Sequence, residues 1–110
     1  MVRRGDVYLV QKGDPRDPKA RRPFVVVSRD KLLDSSFPTA ICAPIATKFT
    51  LGLATQFEVG VEVGLKHDSA VLCDGLVSIP KSALTDYRGH LSDEQMRMLD
   101  EALSVALGLA

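Results

Sequence analysis

One stretch of this chain repeats with helical period, and it lies at the C-terminal end. Ser92-Asp93-Glu94-Gln95 has the form of a capping box, with Ser92 as N-cap and Gln95 at the third helical position. Met96, Leu99, Leu103, Ala106 and Leu107 then recur at helical spacing and draw one apolar stripe. Asp93 and Glu94 stand in the first turn, where the helix dipole favours negative charge, and Gly108 supplies the stop. A helix with one greasy stripe must bury it against another layer. Nearly everything before it is short and β-rich, so that layer is a sheet.

The strand candidates come in quick succession. Residues 6–11 are rich in β-formers, and residues 23–28 (Pro-Phe-Val-Val-Val-Ser) form a continuous apolar run of buried-strand type. Residues 39–45 read as a third strand. Residues 56–63 alternate Phe57, Val59, Val61 and Val63 against Gln56, Glu58, Gly60 and Glu62, the mark of a strand with one wet face. Residues 69–73 and 76–79 are two more short strands, with a bend or bulge at Asp74-Gly75. Between them, 30–36 is expected to make one or two helical turns from an N-cap at Asp30. Residues 46–54 read as a loop, and 81–84 as a short helical turn. The expected fold is mainly β (α+β): a small, curved antiparallel sheet or half-open barrel closed by a C-terminal helix.

A chain of 110 residues is expected to be one domain, spanning 1–110, with room for a real core. No apolar run approaches the length needed to cross a membrane, roughly 18 residues. Met1-Val2-Arg3-Arg4 has no apolar run or cleavage signal behind it. A cytoplasmic location is the expectation. Cys42 and Cys73 lie inside apolar runs and read as buried packing residues.

Zero net charge conceals an asymmetry. Residues 1–22 carry a balance of +4 and residues 23–110 a balance of −4. Most of the excess lies in 12–22, where Gly13, Pro15 and Pro18 among many charges predict a long surface loop. A basic segment can attract phosphate even on a neutral molecule. At its end, Pro23 restricts Arg22 to extended geometry, at the mouth of a buried strand. A guanidinium there suits a two-point grip on phosphate. Read alone, it is equally a surface cation opening a strand. Thr47-Lys48 leaves the third strand in the same way, and read alone Thr47 is more readily a loop threonine. No phosphate-binding glycine loop, metal-binding histidine pair or paired-cysteine motif is present. His67 and His90 read as surface residues.

Taken in order, Arg4-Gly5-Asp6-Val7-Tyr8, Arg22-Pro23 running into Val25-Val26-Val27-Ser28, and Ala43-Pro44-Ile45 with a threonine resemble the MazF/PemK family of toxins. The run from Ser69 to Leu84 is similar to that family's later strands, and Gly89-His90-Leu91 followed by a helix ending Leu-Gly-Leu to its close. Each motif is weak alone; their order over nearly the whole chain is specific.

The resemblance implies a half-open barrel related to the CcdB gyrase poison. It implies a homodimer that cleaves single-stranded RNA at short sequences, with no metal or other cofactor. A separate antitoxin with an acidic segment, expected to dock at the basic loop, would silence it. It makes Arg22 the catalytic arginine and Thr47 its partner, with Lys19, Arg21, Ser28 and Lys48 as RNA-binding residues. Two departures stand out. The family usually reads Pro-Ile-Thr, whereas here Ala46 follows Ile45 and the threonine comes one place later; a local bulge is expected to restore Thr47. Many relatives carry Gln and Arg where this chain has Gly75 and Val77, so base recognition is expected to differ. The alternatives are a non-catalytic, CcdB-like gyrase inhibitor and a plain nucleic-acid-binding barrel. The absence of Trp and an aromatic content of 5% weigh against the latter.

Overall fold

The computed structural model describes residues 1–50 and 52–110. The strands are β1 (Asp6–Gln11), β2 (Arg21–Val26), β3 (Thr39–Ala46), β4 (Gln56–Val59), β5 (Ser69–Leu72), β6 (Val77–Pro80) and β7 (Asp86–His90). Helix α1 (Asp30–Asp34) joins β2 to β3, and α2 (Asp93–Ala106) ends the fold. Short 3-10 turns fill Pro18–Ala20, Val61–Val63, Cys73–Gly75 and Lys81–Ala83. Every strand pairing is antiparallel, in the order β4-β5-β3-β2-β1-β7, with β6 also on β3.

β3 is the pivot. One of its edges meets β2, with Phe24 opposite Pro44 and Val26 opposite Cys42. Its other edge changes partner, pairing with β6 from Thr39 to Cys42 and with β5 at Ile45 and Ala46. Pro44 has no N–H to give to a ladder, and it stands in the gap between the two partners. The turn at Cys73–Gly75 crosses that gap so closely that a Cβ on Gly75 would lie 3.2 Å from the Pro44 ring. This switch of partner curls the sheet into a half-barrel.

Strand alternation sorts the apolar residues onto two faces. On one face Val7, Val25, Ala43, Ile45 and Val71 receive Leu99 and Ala102 of α2. On the other, Tyr8, Val10, Phe24, Val26, Ala40 and Cys42 pack with Leu33, Ile79 and Leu84. Both cysteines are free and buried, as their apolar runs suggest.

The predicted capping box forms in full: Ser92 Oγ accepts from the Gln95 N–H, and Gln95 Oε1 accepts from the Ser92 N–H. The stripe is shorter than predicted. Met96, Leu99, Leu103 and Ala106 face the core, while Leu107 is exposed at the helix's C-cap and Gly108 takes positive φ beyond it.

Three further details differ from expectation. The strand predicted for 56–63 stops at Val59; Glu62 folds back to accept the Gly60 N–H at 3.0 Å, and a 3-10 turn leaves Val61 exposed but Val63 buried. Arg29, not Asp30, occupies the N-cap of α1, because its carbonyl accepts the first helical bond, from the Leu33 N–H at 3.2 Å; the Asp30 carboxylate accepts instead from the Arg4 N–H at 2.9 Å. β7 was not anticipated, because Asp-Tyr-Arg-Gly-His has no apolar alternation. It is an edge strand held by β1, with a register shift beside Val7 and Tyr8. Gly89 is required there, since any Cβ would strike the Val63 backbone. Among the described residues no helix is long and apolar enough to cross a membrane.

Candidate active site

Arg21 and Arg22 begin β2, and alternation sends them to opposite faces. In register, Arg21 lies opposite Gln11 and Arg22 opposite Val10. Arg21 reaches across β1 to an ion pair with Asp86, a carboxylate that Arg88 also engages. Its charge is answered within the fold. Arg22 is exposed and pairs with no carboxylate among the described residues. Its Nη1 donates to two backbone carbonyls, Lys19 O at 2.7 Å and Arg21 O at 3.0 Å. Neither Nε nor Nη2 hydrogen-bonds to the described protein, so the Nε–Nη2 edge presents a planar fork to solvent.

The other cations of the loop divide in the same way. Arg16 is tied to Asp14, whose carboxyl is held below its ordinary range by hydrogen bonds from the Arg16 side chain and backbone. Lys19 lies in the 3-10 turn with an exposed side chain and no ion pair among the described residues. Lys12 lies on the Arg22 face, two places beyond Val10. Its ammonium stands over the Phe24 ring, 5.5 Å from the centroid, and its backbone N–H closes the loop onto Ala20 O at 2.7 Å. Lys12 was not among the sequence candidates. The β1–β2 register, which needs the loop length between them, is the signal that would have exposed it.

Continuing the β2–β3 register two places beyond Phe24 and Pro44 sets Ala46 across from Arg22. Directly opposed side chains start about 5 Å apart. β3 runs to Ala46 without a register shift, still paired to Ala70 of β5, and Thr47 and Lys48 follow in an exposed bend. On the β5 side the strand shows no bulge at this point. It is the end of the strand that releases Thr47 from alternation.

Ser28 is placed elsewhere. It is buried beyond the far end of β2, and its hydroxyl accepts from the Ile41 N–H at 2.7 Å. Its oxygen holds the β2–β3 crossing, so the side chain expected to contact RNA is turned into the fold. Arg21, expected to hold a flanking phosphate, is engaged by Asp86.

Two shallow depressions flank the sheet. One, about 400 Å³, lies between the 12–20 loop and the β6–β7 connection, lined by Gln11, Arg16, Arg21 and Thr85. The other, about 360 Å³, lies at the start of α2 and is lined by Glu58, Glu62, Glu94 and His90. Its carboxylates give it an acidic lining, in contrast to the arginines of the first. His90, expected at the surface, is about half exposed, but its Nδ1 lies 2.7 Å from Oδ1 of buried Asp6. No group of three or more His, Cys, Asp or Glu among the described residues is arranged to hold a metal ion.

A curled antiparallel half-barrel with a closing helix and one uncompensated arginine at a strand mouth defines a small toxin-like fold of the MazF kind. The Mycobacterium tuberculosis toxin MazF-mt6 superposes with a TM-score of 0.80 at 28% identity, covering 96% of this chain and 98% of that one. A mycobacterial endoribonuclease in complex with its cognate antitoxin gives 0.81 at 24% identity, covering 100% and 98%. Endoribonuclease EndoA of Bacillus subtilis (strain 168) is 35% identical over 114 aligned positions, 99% of this chain and 97% of that protein. Residues 3–107 match the family described as PemK-like, MazF-like toxin of type II toxin-antitoxin system. The chain belongs to that family, and its enzyme class is endoribonuclease.

Proposed function

We propose that residues 1–110 form one toxin domain that cuts single-stranded RNA, messenger RNA included, at short sequences in the cytoplasm. It works as a homodimer and is silenced by an antitoxin. The observation that carries this reading is the Arg22 fork, presented to solvent without a counter-ion among the described residues, with Lys12 and Lys19 also outside any ion pair in the loop before it. In the proposed reaction the ribose 2′-hydroxyl loses its proton and its oxygen bonds to the adjacent phosphorus. The bond to the 5′-oxygen breaks, that oxygen takes up a proton, and a 2′,3′-cyclic phosphate remains. Arg22 neutralises charge growing on the phosphoryl oxygens through its Nε–Nη2 edge, and Thr47 donates a hydrogen bond to the same group. Lys12, Lys19 and Lys48 hold flanking phosphates, so binding weakens with salt. The reaction as proposed uses no metal ion. An antitoxin segment rich in carboxylates would compete for the same cations.

The test is incubation of the purified chain with long single-stranded RNA in excess EDTA, followed by mapping of the product ends. Discrete cuts bearing 2′,3′-cyclic phosphates, lost in Arg22→Ala while the circular dichroism spectrum is kept, support the reading. Full cleavage by Arg22→Ala would remove Arg22 from the chemistry. No cleavage by the folded, antitoxin-free protein would favour a non-catalytic inhibitor of the gyrase-poison type.

A further inference from the structure

We propose that Gln11 and Asp17 are positioning residues that hold Arg22 in its reactive attitude through the backbone of the 12–20 loop. The inference rests on the reading of Arg22 given above.

Hydrogen bonds connect the sheet to the arginine without a break. Gln11, the last residue of β1, turns its amide into the loop, and Nε2 donates to Asp14 O at 2.7 Å and to Asp17 O at 3.0 Å. Asp17 caps the 3-10 turn at Pro18–Ala20, its Oδ1 accepting from the Lys19 N–H at 2.9 Å. Ala20 N–H returns to Asp17 O at 3.1 Å. The capped turn fixes the peptide that follows Lys19, and it is the carbonyl of Lys19 that receives Arg22 Nη1.

The consequence is chemical. A guanidinium on a flexible stem loses much side-chain freedom when it grips a phosphate. Here Nη1 is already engaged by Lys19 O and Arg21 O, so the plane of the group is set before substrate arrives. The edge left over is the Nε–Nη2 pair, the edge that can grip two phosphoryl oxygens at once. Asp17 and Gln11 touch neither Arg22 nor, in this reading, the substrate. They act by keeping one carbonyl in place, and misplacement of a reactive group by an ångström can cost up to about a hundredfold in rate.

Asp17→Ala removes the cap, and Gln11→Met removes both amide donors at similar side-chain length. Each is expected to lower kcat about tenfold while KM for RNA moves less than about threefold. Melting temperatures should stay within about 2 °C of wild type, because the loop is exposed. Asp17→Asn loses the same charge but keeps a capping oxygen, so it should return kcat to within about twofold of wild type. Wild-type kcat in both Asp17→Ala and Gln11→Met would overturn the proposal. So would failure of Asp17→Asn to rescue, since charge would then be the cause.

A second readout needs no activity. In 15N-arginine-labelled protein, rotation about the Cζ–Nη1 bond of Arg22 should be slow in wild type and in Asp17→Asn, and fast in Asp17→Ala. Equal rotation in all three would overturn the proposal. Should the wild type fail to cleave RNA, the reading of Arg22 as catalytic falls, and this measurement still decides whether the network holds it.

Discussion

Arg21 and Asp86 form an ion pair across β1, joining the mouth of β2 to the edge strand β7. The pair separates two arginines that are adjacent in sequence, one serving the fold and the other facing solvent. Arg21→Ala is therefore expected to leave the cleavage rate within about threefold of wild type. Both partners are partly exposed, so the loss of stability should be no more than about 1 kcal/mol. Urea unfolding and RNA cleavage on one preparation check both statements; a hundredfold loss of cleavage would return Arg21 to the site.

Asp6 anchors the opposite end of β1. It is buried, and its carboxylate accepts from the Arg3 N–H at 2.8 Å and lies 2.7 Å from His90 Nδ1. Asp6→Ala strands that N–H and frees the ring that ties β7 to β1. A destabilisation of about 2–3 kcal/mol is expected, read from the urea midpoint. The cleavage rate of the folded fraction should be unchanged, because Asp6 lies four residues along β1 from Val10, the residue opposite Arg22.

The buried thiols make stability fall on the alkaline side. Burial pushes Cys42 up to about 12 and, with help from Asp74, Cys73 up to about 11, each from an ordinary 9.0. In the unfolded chain the thiols ionise near that ordinary value; in the folded chain they stay protonated. Their contribution is complete below pH 9 and is lost as pH rises towards the folded values. Burial, then the nearby Asp6 charge, likewise raises Tyr8, so its contribution falls away above pH 10. At pH 10.5 Cys42 alone should account for about 2 kcal/mol of lost stability. Urea midpoints measured from pH 8 to 10.5 should fall more steeply for wild type than for Cys42→Ala. Parallel curves would show that the thiol ionises equally in both states.

What could be read from the residues followed from where the physical signal is local. The capping box at Ser92 and the apolar run after Pro23 depend on neighbours in sequence; the box formed as read, and the strand formed two residues earlier, over Arg21–Val26 in place of 23–28. β7 has no such signal: only its pairing with β1 makes Asp86–His90 a strand. Val61 and Val63 kept their alternation on paper, but Glu62 and Gly60 ended the strand through a side-chain contact that periodicity does not contain. The same division runs through the site. The extended, strand-mouth placement of Arg22 was legible because Pro23 constrains it locally, whereas its proposed role came from the family resemblance. The engagement of Arg21 by Asp86, the placement of Lys12 beside Phe24 and the burial of Ser28 all depend on partners at least 12 residues away.

The role proposed for the Thr47 hydroxyl can be tested by moving it. Continued register sets Ala46 across from Arg22, while Thr47 stands in the bend beyond the strand. If Thr47 donates to the phosphoryl group, Thr47→Val, which keeps the shape and removes the hydroxyl, should lower kcat by about tenfold or more, with little change in KM. Ala46→Thr combined with Thr47→Ala places the hydroxyl opposite Arg22, on the face that Arg22 shares. A threonine at 46 is β-branched and suits a strand end, so the double variant should fold. Restored kcat in the double variant would show that the bend and the strand end present the hydroxyl to the same phosphate. Wild-type kcat in Thr47→Val would remove Thr47 from the chemistry and leave Arg22 to stabilise the phosphoryl group through its Nε–Nη2 edge alone.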